Sequence, residues 1–129
     1  MRFAILSLLL IAAPAQAGEQ DSSAGCGPYL RYNLVTHTFQ QVGYLCSGTF
    51  AGFRSSATPT DYAEFSYLSG VGSFNASFGG TSFSCVASSS LLPDWPMAIA
   101  NRGYFTVWTD LNGNCTSLMV GNGSQFSSY

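Results

Sequence analysis

Residues Tyr104 to Val120 constrain this chain more than any other stretch. Tyr104, Thr106 and Trp108 alternate with Phe105, Val107 and Thr109, the period of two that a strand requires. Asp110-Leu111-Asn112-Gly113 then breaks the run, with an Asp that can bond its own backbone and an Asn-Gly pair that tolerates positive φ, before Cys115 to Val120 returns. The pattern predicts a hairpin. With the four turn residues as its loop, Thr109 faces Asn114 and Trp108 faces Cys115, which sets the indole beside a disulfide where a core can grow. The same segment, D-x-N-x-N, carries the first ligand positions of a calcium loop. Its glycine falls at the fourth position instead of the sixth, however, and Gly121 stands where the bidentate Glu is needed, so it reads as a turn.

The first residues place the chain. Arg2, an apolar run from Phe3 to Ala13, Pro14 and Ala15-Gln16-Ala17 have the form of a secretory signal peptide, too short for a membrane span. We expect residues 1–17 to be that signal, 18–27 a flexible leader and 28–129 a single β domain, with no membrane insertion. Behind an export signal, Cys26, Cys46, Cys85 and Cys115 are read as two disulfides. No two of them stand at the C-x₂₋₄-C spacing of a zinc site, and His37 is the only histidine, so no metal or other cofactor is called for.

Beyond the signal the chain holds Arg31, Arg54 and Arg102 against Glu19, Asp21, Asp61, Glu64, Asp94 and Asp110, a net charge of −3, and it has no lysine. Phosphate neutralisation needs a basic face, so nucleic acid is excluded as a partner.

Along the chain, Tyr29 to Asn33 and Thr38 to Cys46 read as strands joined by Leu34 to His37, with the Asn33 side chain accepting from a backbone N–H two residues on. The stretch Tyr32 to Phe39 (YNLVTHTF) resembles one hairpin of a kelch-type propeller blade over about a dozen residues, and it does not recur. A propeller needs at least four blades, so the likeness implies the turn alone. In that register Cys26 falls near Leu45 or Cys46, which favours Cys26–Cys46 and leaves Cys85 for Cys115.

Ser47 to Phe53 is expected to continue as a strand after a bend at Gly48, and Asp61 to Leu68 to bury Ala63, Phe65 and Tyr67. Gly79-Gly80 is a hairpin signal that sets Ala76 opposite Phe83 and Phe74 opposite Cys85. Between Ala87 and Ala100 alternation stops; a single helical turn from Pro93 would carry Trp95 toward the core. The expected fold is all-β: a small antiparallel sandwich or barrel of seven to eight short strands, mostly meander connections, with two disulfides.

Chemistry is sparse. His37 sits in an expected exposed turn with no G-x-S-x-G elbow anywhere. Asp61 and Glu64, three apart on a strand, point to opposite faces, although a cleft could still gather them with Asp94 and Asp110. The aromatics Tyr44, Tyr62, Trp95 and Tyr104 are read as outward-facing and form the candidate binding set. The leading expectation is a secreted or periplasmic, non-catalytic recognition domain for a glycan or another exported protein. Two alternatives stand beside it: a structural or adhesive envelope component, and a small hydrolase using His37 or a carboxylate pair.

Overall fold

A computed structural model describes residues 23–122. The signal segment and the first half of the leader therefore lie outside the described residues. Seven strands form one sheet: β1 Ala24–Asn33, β2 Thr38–Thr49, β3 Tyr62–Leu68, β4 Val71–Phe78, β5 Thr81–Ala87, β6 Tyr104–Asp110 and β7 Asn114–Gly121. Their order is β1-β2-β6-β7-β5-β4-β3. The domain is all-β with two disulfides, and the sheet is not closed, since β1 and β3 are its edges. Consecutive strands β1–β2, β3–β4, β4–β5 and β6–β7 are antiparallel hairpins, the expected meander connections. One junction departs from the antiparallel expectation, because β5 and β7 run parallel through Val86↔Asn114 and Ala87↔Cys115.

The sheet curls strongly. Four inter-strand steps separate β3 from β6, roughly 19 Å across a flat sheet. Yet the Phe65 and Phe105 ring centroids are 5.2 Å apart, so the two inner faces meet. Between them lie Phe53, Phe74 and Trp95, all buried. Each such ring contributes about 1.5–3 kcal/mol on burial, and edge-to-face pairs add about 1 kcal/mol.

A short helix, α1 Phe50–Arg54, fills one gap in this wall. It corrects the expectation of a strand through Phe53. Gly48 turns the chain at φ 139°, and the Thr49 hydroxyl then accepts the Gly52 N–H at 3.0 Å, an N-cap that opens a helix. Phe50 and Phe53, three apart, both reach Phe105, at 5.1 and 5.8 Å between centroids. The second helix, α2 Trp95–Ala100, follows a 3₁₀ turn at Leu92–Asp94 and buries Trp95 and Ala98. The Trp95 Nε1–H donates to the Ser66 carbonyl at 2.9 Å, covering part of the β3 edge.

Register decides the disulfides. The β1–β2 loop closes on Asn33↔Thr38 as expected, and the Asn33 Oδ1 accepts the Val35 and Thr36 N–H groups at 2.8 and 3.2 Å. Continued without interruption, that register sets Cys26 opposite Leu45. A bulge between Tyr29 and Leu30 leaves Val42 unpaired, and the extra residue brings Cys26 opposite Cys46. The Cys26–Cys46 and Cys85–Cys115 bridges are both formed, the expected pairing. The β1 ladder also takes in Ala24 to Gly27, which the sequence reading placed in the leader.

The Cys26–Cys46 Cα separation of 4.1 Å marks a non-hydrogen-bonded pair. The alternate residues Ala24, Cys26 and Pro28 therefore aim their backbone groups at the free edge of β1. At that edge Pro28 has no N–H to offer.

A second bulge corrects the β6–β7 hairpin. Thr109 pairs with Cys115 and Trp108 with Ser117, so Thr116 is the extra residue. The expected Thr109–Asn114 and Trp108–Cys115 pairs do not form. Phe105 and Val107 are buried on the inner face, while Trp108 stands half-buried on the outer one.

Candidate functional site

The four aromatics proposed from sequence do not come together. Trp95 is 0% exposed and belongs to the core, which overturns its reading as a surface ring. Tyr44 is on the inner face at the sheet's mouth, its ring 5.6 Å from that of Phe83. Tyr62 is exposed at the start of β3, beside Arg54 and Phe53. Tyr104 is half-buried at the start of β6, opposite Thr49.

The carboxylates are equally dispersed. Asp61 is buried and spends both oxygens on local structure, accepting from Ser56 Oγ at 2.7 Å and from the Gly79 N–H at 3.0 Å. Asp110 Oδ1 accepts the Asn112 and Asn114 N–H groups at 2.8 and 2.9 Å, and Oδ2 accepts Asn114 Nδ2 at 2.9 Å. The segment is thus a turn, with Gly113 at φ 81°. Hydrogen bonds from the Asn114 side chain first, then from its backbone, hold the Asp110 carboxyl below the usual aspartate range. His37 stands in an exposed turn at φ 54°, its Nδ1 3.4 Å from the Tyr32 hydroxyl. Among the described residues, no three His, Cys, Asp or Glu side chains gather as a metal site. Nor is any helix there long and apolar enough to cross a membrane.

What the fold does build is a groove of about 400 Å³ on the outer face, lined by Tyr29, Arg31, Trp108, Asp110, Thr116 and Ser117. Both bulge residues, Val42 and Thr116, border it or lie in it. The arrangement follows from register. Gly27, Leu45, Trp108 and Ser117 form one cross-strand row, and Tyr29, Gly43 and Asp110 the next. Paired residues share a face, so Trp108 and Tyr29 stand on the same side two strands apart. Gly43 between them carries no side chain, and any Cβ there would run into the Thr109 backbone carbonyl. Thr116, pushed out of the ladder, donates its hydroxyl to the Trp108 carbonyl at 3.3 Å.

The result is two aromatic faces, one guanidinium, one ionised carboxylate and two hydroxyls around a single depression. Such a set can bind by ring contact and hydrogen bonding, while both Asp110 oxygens are engaged by Asn112 and Asn114 of its own turn. The sequence reading missed Tyr29, Arg31 and Trp108. Trp108 was assigned to the core because an unbulged hairpin turns it toward Cys115. No protein-family model, curated protein or solved structure matches this chain.

Proposed function

We propose that this protein is a secreted, non-catalytic recognition domain that holds a glycan in the outer-face groove. The observation that carries the reading is the pairing of Trp108 and Tyr29 across the Gly43 gap, with Arg31, Asp110, Thr116 and Ser117 around them. A pyranose ring has an apolar C–H face and a rim of hydroxyls. It matches an aromatic floor bordered by donors and acceptors, where an indole or phenol contributes a rigid, amphipathic surface. The low charge of the chain suits a neutral polar ligand, because few ionic groups must be desolvated on binding. Export fits the same picture: disulfides persist in extracellular and periplasmic compartments.

The test is a glycan array probed with the oxidised protein, alongside Trp108→Ala and Tyr62→Ala variants of unchanged circular dichroism. We expect Trp108→Ala to lose about tenfold or more in affinity for the retained glycan and Tyr62→Ala to keep it. Retention that survives Trp108→Ala, or no retention of any glycan, would refute the assignment of the groove.

A further inference from the structure

The β1–β2 hairpin outruns the sheet. β2 pairs with β6 only from Gly43 to Thr49, so among the described residues Leu30 to Gln41 is a two-stranded arm with no third strand beside it. Isolated two-stranded hairpins are marginal in water, and a stable one needs a covered apolar face. This arm has such a face. Leu30, Tyr32 and Phe39 continue the inner face of the sheet, with the Tyr32 and Phe39 ring centroids 5.1 Å apart, and Leu34 and Val35 stand exposed in the turn at its tip. They are 50%, 43%, 69%, 78% and 88% exposed. The other side is polar: Arg31, Asn33, Thr38 and Gln40, with Asn33 Nδ2 donating to Gln40 Oε1 at 3.3 Å.

We propose that two copies of this chain pair face to face through the inner face of this arm. Three observations favour a second copy as the occupant. Completely covered, the five apolar residues would bury roughly 600 Å² per chain, at the lower end of the ~600–1,000 Å² per partner of a specific interface. No Asp or Glu occurs from Ser22 to Thr60, and Arg31 lies on the opposite side of the arm, so a two-fold axis through the Tyr32–Phe39 pair brings no carboxylates and no guanidinium groups of the two copies together; the histidine beside that axis is His37, in contact with Tyr32. Apart from His37, whose Nδ1 lies 3.4 Å from the Tyr32 hydroxyl, the face carries no acidic or basic side chain by which a charged partner would be selected. At the β1 edge Pro28 removes one outward N–H from any edge-to-edge pairing. The inference does not depend on the groove, which uses the other side of the same strands.

Sedimentation velocity of the oxidised chain over about 1–500 µM decides it. We expect a concentration-dependent shift from monomer to dimer, and about a tenfold or greater weakening of the dimer in Leu34→Ser/Val35→Ser, a tip variant that touches no core residue. Phe39→Ser should act in the same direction, and Gln40→Ser on the polar side should leave the dimer intact. A monomer across the whole range overturns the proposal, as does a dimer indifferent to the tip variant. So does a monomer that instead binds phosphatidylcholine vesicles through the tip, since the occupant would then be lipid.

Discussion

Gly72 shows how closely single residues are fitted. A Cβ built there lies 2.7 and 2.8 Å from Trp95 Cδ1 and Cγ, closer than real contacts allow, so the indole occupies the space a side chain would need. We expect Gly72→Ala to destabilise by about 1–3 kcal/mol through overpacking. Gly25→Ala, with nothing within 4 Å of its Cβ, should change little. Urea unfolding of both variants checks this, and an unchanged midpoint for Gly72→Ala would argue that Trp95 packs elsewhere. In the sequence Gly72 reads as a turn residue beside Gly70. Nothing local distinguishes a glycine kept for backbone freedom from one kept for a neighbour twenty-three positions away. Trp95 is its counterpart: the helical turn expected from Pro93 does carry it into the core, whereas the glycine that makes room for it is not marked in the sequence.

Among the elements, the two bulges do the most. Val42 shifts β1 against β2 by one residue and thereby aligns Cys26 with Cys46. We expect deletion of Val42 to set Cys26 opposite Leu45 and to leave the Cys26–Cys46 bridge incomplete or replaced by mispaired species. Non-reducing peptide mapping reads this directly, and native pairing in the deletion variant would show that the register is fixed elsewhere. The tight turns were legible because their chemistry is local: Asn33 caps its loop, and Gly79-Gly80, at φ 59° and 83°, returns the chain to Ala76↔Phe83 and Phe74↔Cys85. The bulges were not. Val42 and Thr116 are β-branched and suit a paired strand position as well as a bulge, and a one-residue insertion leaves the alternation on either side intact while exchanging the faces. That exchange hid the groove, since it moves Trp108 from the side of Cys115 to that of Tyr29. Helix α1 escaped for a related reason: Phe50 and Phe53 satisfy a helical spacing as readily as a strand's edge, and Thr49 as its cap is the clue that separates them.

At the scale of the whole molecule, the sheet is joined from two parts. The β3–β4–β5 meander meets the β1–β2–β6–β7 half through two parallel residue pairs of β5 and β7, with the Cys85–Cys115 bridge beside them. The β1–β2 bridge lies instead within a ladder of ten residue pairs. We therefore expect Cys85→Ala/Cys115→Ala to lose about 3 kcal/mol or more in urea unfolding, out of a total of about 5–15 kcal/mol, and Cys26→Ala/Cys46→Ala to lose less. Equal losses would mean that the parallel junction is not the weaker seam. Strand content, hairpins and disulfide pairing could be read from sequence, whereas the placing of β2 beside β6 could not, because contacts between residues so far apart leave no periodic trace. The two tryptophans make this architecture visible in solution. Indole emission follows the polarity of its surroundings; Trp95 is sealed among Phe65, Gly72 and the Ser66 carbonyl, while Trp108 stands half-open in the groove. The native chain thus carries two optical reporters without labelling, one for the integrity of its interior and one for whatever enters its outer face, and a soluble quencher tells them apart.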